Sequence, residues 1–486
     1  MKHYEELTGG EGKRVFYRAE RFKASTLMQN SSPQINVQGE SFEIFDLSMS
    51  GLSFVSSPSN VWDGDLEQDL PISLKLGTDE IFQGKGRVRR VEPLNSRQKI
   101  ALELTEGFLD IPGLLEKHDE ISLQKTLNSE MADYGVHVPT EYKQLIADAV
   151  FLLRSARSTL EKIEADIPSD FPRRDERIRE AILECEKMSF KRWQAFFQLG
   201  NKVINNIRED QIAVTATKRY TESVLLPELM SGKNWHRSYT KPLGYPGDFQ
   251  IMNFFYSLSL SGDTAYDKFC HQLGNSTGEF ISVRMNMVKQ AIARLAIDAA
   301  SRGKSSFDVA NLGCGPAQEV SNYLKADRLP LPVSFTLIDQ DHEALSCAYE
   351  NSFREVSRLK GQAKVNCLNA SFMEFLSAGK LFSKLGKHDM IYTVGLVDYL
   401  SAHRAKRFMT DLYANLNPGG TVIIGNMRES ESSLEWVLDY VTDWKLEYRT
   451  EAEMLAMADN IEDAAKKEVL TDTTGHCYLL VVTKPE

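Results

Sequence analysis

The stretch Phe307-Asp308-Val309-Ala310-Asn311-Leu312-Gly313-Cys314-Gly315-Pro316-Ala317 constrains the fold of this chain more than any other. A short apolar run stops at Gly-x-Gly and restarts as a helix, which brings main-chain N–H groups and a bare backbone face against whatever binds there. Taken alone, such a turn also joins strand to helix with no ligand at all. The next segment narrows the choice. One helix later, Val333-Ser334-Phe335-Thr336-Leu337-Ile338 reads as a second buried strand, and it ends on Asp339 and Gln340. An acid at the tip of the second strand, about twenty residues past the glycines, is placed to accept hydrogen bonds from ribose hydroxyls. The pair predicts an adenosine-bearing ligand. With Ala317 at the third position and no Lys or Arg at the helix start, the loop is poorly equipped for a pyrophosphate.

Two more apolar segments follow, Met390-Ile391-Tyr392-Thr393-Val394-Gly395 and Leu416-Asn417-Pro418-Gly419-Gly420-Thr421-Val422-Ile423-Ile424-Gly425. In this order the motifs resemble class I S-adenosylmethionine-dependent methyltransferases, from about Phe307 to Glu486. The resemblance implies an α/β Rossmann-like core with S-adenosylmethionine as cofactor. It places Gly313, Cys314, Gly315, Asp339, Gln340, Asn369, Ser371 and Gly395 as candidate cofactor contacts.

The N-terminal part has a different character. Lys13, Arg14, Arg18, Arg21 and Lys23 stand close together in a chain of net charge −11, which argues against general affinity for nucleic acid or anionic membrane. Any anion site is therefore local. Short alternating runs (Phe42–Phe45, Leu52–Val55, Ile72–Leu76, Gly86–Val91 and Ile100–Leu104) have the spacing of a small antiparallel barrel or sandwich. Arg14-x-x-x-Arg18 followed by Asp46-x-Ser48-x-x-Gly51 resembles the signature of PilZ domains, which bind cyclic di-GMP. Two guanidiniums can grip phosphate and a guanine edge, while Asp46 and the Ser48 hydroxyl add polar contacts and Gly51 lets the backbone approach. Lys99-Ile100-Ala101-Leu102 departs from the Gly-led segment common in that family.

From Pro139 the period changes. Tyr142, Ile146, Val150, Leu153, Leu160 and Ile163 form one apolar stripe of a helix, and a second long helix is predicted from near Asp175 to Ile207. The pair reads as a hairpin that packs on the C-terminal domain or on a second copy of the chain. The expected architecture is multidomain: a PilZ-like β-barrel at 1–115, a helical connector at 116–235, and a methyltransferase at 236–486, with a helical lid (236–305) before its core (306–486).

The segment Arg237-Ser238-Tyr239-Thr240-Lys241-Pro242-Leu243-Gly244-Tyr245-Pro246-Gly247-Asp248-Phe249 reads as a shaped loop between helices. Together with Val394–Ser401, Gly425-Asn426-Met427 and Trp444–Glu451 it resembles a bacterial methyltransferase family whose members are described as making the methyl ester of 3-hydroxypalmitic acid. A carboxylate acceptor is already ionised at neutral pH and needs no strong base, whereas a hydroxyl or amine wants one. Candidate catalytic residues are Tyr245, Asp248, Asp398 and Tyr399. Candidate substrate contacts are Tyr239, Lys241, Asn426 and Arg428, the last suited to a carboxylate. The six cysteines include no Cys-x-x-Cys pair and the histidines no ligand spacing, so no metal is expected. The N-terminus lacks a hydrophobic signal region and no apolar run is long enough to span a bilayer, which predicts a cytoplasmic protein. The function expected is methyl transfer to a small carboxylate or hydroxyl, such as a hydroxy fatty acid, under cyclic di-GMP control. The competing expectation is a non-catalytic effector that keeps the fold to bind a partner.

Overall fold

The structure is a computed structural model that describes residues 22–24, 33–56, 69–76, 79–94, 97–119, 134–375 and 378–486. It divides into two compact units, Met1–Asp133 and Tyr134–Glu486.

In the first unit, alternation decides the fold. Asp69–Leu76 (β5) buries Leu70, Ile72, Leu74 and Leu76 and turns the residues between them outward, so one face must be covered. The strands β2 (Gln34–Val37), β3 (Glu40–Ser48), β4 (Gly51–Val55), β6 (Asp79–Leu94) and β7 (Arg97–Glu106) supply that cover by closing a ring. Its order is β3-β2-β5-β6-β7-β4, with β4 paired back onto β3 and every pairing antiparallel. A two-residue β1 (Phe22–Lys23) adds to β3. Closure leaves the barrel without a free edge, and Ile35, Leu52, Phe54, Val88 and Leu102 fill its interior. The strand segments read from the sequence all fall within β3 to β7.

The second unit opens with two long helices, α1 (Thr140–Asp166) and α2 (Arg174–Ile207), followed by α3 (Gln211–Val224). The hairpin is bolted to the C-terminal part of its own chain. Trp193 of α2 sits about 6 Å, ring to ring, from Phe196, Phe197, Trp235 and Trp436. Asn201 receives the Trp436 main-chain N–H at 2.9 Å and donates to the Ser433 carbonyl at 2.8 Å. A Cβ on Gly200 would lie 2.3 Å from the Trp436 ring, so that ring packs directly on the α2 backbone. Of the two packing partners expected for the hairpin, the structure shows the C-terminal part of the same chain.

After a single helical turn at Leu226–Leu229 come α4 (Lys233–Thr240), α5 (Phe249–Ser257), α6 (Ala265–Thr277) and α7 (Glu279–Ser301) before the sheet. Arg237–Thr240, expected in the loop, are the last turn of α4, because nothing in Arg-Ser-Tyr-Thr breaks a helix before Lys241 takes the left-handed conformation (φ +46) and Pro242 follows. In α6, His271 is fully buried against Phe254, and neither of its ring nitrogens has a partner among the described residues. Burial pulls its pKa down to about 4 from 6.5, with Lys233 acting in the same direction. Between those two pH values the unfolded chain takes up a proton that the native chain refuses. The stability contribution is therefore full above pH 6.5 and lost as pH falls toward 4. Urea titrations of His271→Leu across this window are expected to show a pH slope shallower than wild type by about 1 kcal/mol per pH unit.

The sheet contains β8 (Phe307–Leu312), β9 (Val333–Asp339), β10 (Ala363–Asn369), β11 (His388–Val394), β12 (Leu416–Met427), β13 (Lys466–Thr471) and β14 (Cys477–Thr483). Their order is β10-β9-β8-β11-β12-β14-β13, parallel through β12, with β14 antiparallel to β12 and β13 antiparallel to β14. Both faces are covered, so β11 is buried almost throughout. The strand order reverses between β8 and β11, and at such a switch point the loops after the two strands part and leave a crevice. No helix among the described residues is long and apolar enough to cross a membrane.

Candidate functional site

A cavity of about 390 Å³ lies at that switch point. Its floor is the turn after β8. Gly313 (φ +68) and Gly315 (φ +51) take left-handed backbone conformations. No side chain crowds the position where Gly315 would carry a Cβ, so the glycine there serves conformation rather than space. The amides of Gly313 and Cys314 donate to the Ile338 carbonyl at 2.8 and 3.1 Å, which ties the turn to the end of β9. Asp339, 7% exposed, completes the tie by accepting from Gly315 N–H at 2.8 Å and Asp341 N–H at 3.0 Å. Burial pushes its carboxyl above the usual carboxylate range, and these two amides hold it back. Gln340 and Gly395 also line the cavity.

The roof is the segment between α4 and α5. Tyr245 lines the cavity and reaches Asp341 at 3.3 Å through its hydroxyl. The Tyr399 hydroxyl donates to the Pro246 carbonyl at 3.4 Å and accepts from Trp444 Nε1 at 2.8 Å. A Cβ at Gly247 (φ +74) would lie 2.5 Å from the Trp444 ring, so the roof closes on Trp444 only with glycine there. Asp398, 2% exposed, stands at the wall after β11 and accepts from the Met427 N–H at 2.6 Å. Burial raises its pKa, against the fields of Arg284, the Met427 amide and Arg449.

Several residues singled out from the sequence stand elsewhere. Asp248 is absent from the lining: it caps α5 by accepting from Gln250 and Ile251 N–H, and both its oxygens receive Arg237 Nε at 2.9 Å. Asn426 is wholly buried, bonded to the Met427 and Glu447 carbonyls and to Arg449. Arg428 lies 5.5 Å over the Tyr478 ring, Lys241 pairs with Asp443 at 2.9 Å, and Tyr239 donates to Glu222. Asn369 clamps the carbonyls of Asp339 and Gln340 from outside the cavity, and Ser371 bonds Glu374.

The lining contains residues that the motifs did not mark. Arg284, Glu319 and Asn311 are each less than a tenth exposed, and Tyr256, Phe280, Leu438, Trp444 and Leu446 give an apolar and aromatic wall. Arg284 had a sequence signal. It falls four residues after Phe280 and four before Val288 on the buried face of α7, and a charge on an apolar stripe has to meet a partner or a ligand.

In the first unit, Asp46 is buried and receives Lys99 Nζ at 2.7 Å, and Lys99 also lies 4.1 Å over the Phe45 ring. The departure at Lys99 thus places a cation beside Asp46. Ser48 Oγ donates to the Gly51 carbonyl at 3.0 Å across the β3–β4 turn. A Cβ on Gly51 would lie 2.6 Å from the Leu102 carbonyl, so close strand approach requires glycine there. Arg14 and Arg18 lie outside the described residues.

In strand order and layering the second unit has a Rossmann-like α/β fold. No protein-family model matches the chain. No curated protein matches it either. Among solved structures, the chain is similar to a Bordetella parapertussis protein described as a possible exported protein, at 15% identity over 70% of this chain and 97% of that one (TM-score 0.37). It is similar to magnesium protoporphyrin IX methyltransferase from Synechocystis, solved with bound SAH, at 12% identity over 52% and 100% (TM-score 0.34). It is also similar to the N-methyltransferase NodS from Bradyrhizobium japonicum in complex with S-adenosyl-L-homocysteine, at 14% identity over 41% and 87% (TM-score 0.29).

Proposed function

We propose that the second unit transfers a methyl group from S-adenosylmethionine to a small carboxylate or hydroxyl acceptor, a hydroxy fatty acid being one candidate. The observation that carries this reading is a single cavity that runs from Asp339 and the glycine turn to Arg284, Asp398 and an aromatic wall. A ribose would bond Asp339, the bare turn would take the cofactor's backbone-facing edge, and the sulfonium would supply an electrophilic methyl. The chain's own task is then to hold donor and acceptor in line and dry. Phe280, Leu438, Trp444 and Leu446 exclude water, and the Tyr399–Pro246–Trp444 contacts hold the roof in place. Asp398 is committed to the Met427 amide, which suits an acceptor that needs no base.

The test is incubation with methyl-labelled S-adenosylmethionine and a panel of hydroxy and fatty carboxylates. Label is expected in a base-labile ester, or in a base-stable ether for a hydroxyl acceptor. Bound cofactor without transfer to the panel or to small-molecule extracts would favour a binding role instead.

For the first unit we propose cyclic di-GMP as ligand, supported by the Ser48–Gly51 turn together with the Arg14 and Arg18 spacing. Titration should show binding in wild type and none in Arg14→Ala or Arg18→Ala. If the ligand regulates methyl transfer, cofactor affinity or rate should change about 5- to 150-fold at saturation, and a change in affinity must be reciprocal. Identical values with and without cyclic di-GMP would leave the module a recruiting or localising role.

A further inference from the structure

The spaces that adjoin the main cavity differ in size and in chemistry. Behind Ile281, Leu438 and Trp444 lies an apolar pocket of only about 30 Å³, room for about one or two water-sized groups. A recess of about 300 Å³ opens between α2, the α6–α7 corner and the β13–β14 turn. Phe280 lines the main cavity and both of these spaces.

The polar lining of the recess is Gln194, Ser276, Glu279, Thr473, Thr474 and His476. Among the described residues that line it none is a Lys or Arg, so nothing there neutralises an anion, and Glu279 repels one. His476 Nδ1 has no partner among the described residues. Burial pulls the His476 pKa below 6.5, opposed by Asp472 and helped by Arg428, so near neutral pH the ring is uncharged, with one donor and one acceptor. The turn that carries it is preformed, because buried Asp472 accepts the His476 and Cys477 N–H groups, each at 2.9 Å. Hydroxyls, an amide and a neutral imidazole each give and accept hydrogen bonds, and a ligand hydroxyl does the same.

Size decides what has to go there. The main cavity, at about 390 Å³, is near the lower end of the ~300–1,000 Å³ that encloses one drug-sized ligand. An adenosyl cofactor in it leaves an acceptor little room beyond its reacting oxygen. The rest of the acceptor then lies next door, and of the two adjoining spaces only the polar one is large enough. The corner between them is fixed in its backbone: a Cβ on Gly278 would stand 2.2 Å from the Phe255 ring, and Ser282 Oγ donates to the Phe255 carbonyl at 2.7 Å. The movable part of the partition is therefore the Phe280 side chain.

Building on the methyl-transfer reading above, we infer that the recess seats the body of the acceptor, past the Phe280 ring, and that this body is neutral and hydroxyl-bearing rather than a long acyl chain. An acyl chain in the recess would strip water from its polar walls and return no hydrogen bonds, which is the costly way to fill such a site.

The test uses the full chain, methyl-labelled S-adenosylmethionine and three acceptor sources: gluconate, hexanoate, which has the same carbon number without the hydroxyls, and a small-molecule extract. Label is expected in gluconate or in water-soluble extract products, at least about tenfold above that in hexanoate or in products that pass into hexane. Gln194→Trp and Thr473→Trp fill the recess from exposed positions on separate elements. Each should cut this transfer by about tenfold or more and leave S-adenosylhomocysteine affinity, read by calorimetry, within about twofold. Label mainly in hexanoate or in hexane-soluble products would overturn the acceptor seat and leave the methyl-transfer reading standing. So would Trp variants that transfer as wild type does, or that lose cofactor affinity to the same extent as transfer. No labelled product from any source would overturn both.

Discussion

Replacing Asp398 by alanine is expected to destabilise the second unit by about 3 kcal/mol. The carboxylate is 2% exposed, accepts the Met427 N–H at 2.6 Å, and opposes the fields of Arg284 and Arg449. Alanine removes all of this at once: it strands a buried amide and leaves two buried guanidiniums without their nearby negative charge. Asp398→Asn keeps an acceptor for the amide while removing the charge, so it should fall between alanine and wild type. Four of the five tryptophans (193, 235, 436 and 444) belong to the second unit, so intrinsic fluorescence in a urea titration reports mainly on it. Equal midpoints for wild type and Asp398→Ala would mean that the carboxyl is already neutral or that water replaces its bonds.

Asp339→Ala is expected to lower cofactor affinity by about a hundredfold or more, beyond what one ribose contact explains. The carboxylate ties Gly315 and Asp341 to the tip of β9 as well as facing the cavity. Its loss therefore removes a ligand acceptor and frees the turn that shapes the site, and the entropy of re-ordering that turn is charged to binding. Asp339→Asn keeps one acceptor oxygen and should lose less. If alanine and asparagine weaken binding equally and only slightly, the turn is held without Asp339.

The parts of this architecture that were legible in the sequence are those that rest on a local rule. Period-two alternation marked the barrel strands, the 3.6 period marked α1, and a strand that ends in Gly-x-Gly with an acid at the next strand's tip marked a turn suited to an adenosine-bearing ligand. The catalytic expectation for Asp248 came from its place in a Pro/Gly-rich segment. An Asp directly before an apolar helix also carries an N-cap signal, and the backbone amides of α5 together with Arg237 take up its oxygens. Asn426 and Arg428 stand just past the expected strand end, where reactive side chains gather. But β12 runs on to Met427 and pairs with β14, so Asn426 is inside the sheet. Glu319 carried no warning, since a Glu in the first turn of a helix is ordinary, and only the fold of Asn311 and Tyr392 beneath it makes it a buried charge. The bond network between α2 and Trp436 joins residues more than two hundred positions apart, a distance that no local rule spans.

The cavity between β8 and β11 is proposed to hold an adenosyl cofactor with Asp339 as its ribose acceptor. Calorimetric titration of the full chain with S-adenosylhomocysteine, beside Asp339→Ala at matched thermal stability, tests it most directly. One site per chain, in roughly the micromolar range, is expected for wild type, and heat indistinguishable from dilution for the variant. Wild type that gives no binding heat at several temperatures, or an Asp339→Ala variant that binds as tightly as wild type, would contradict it.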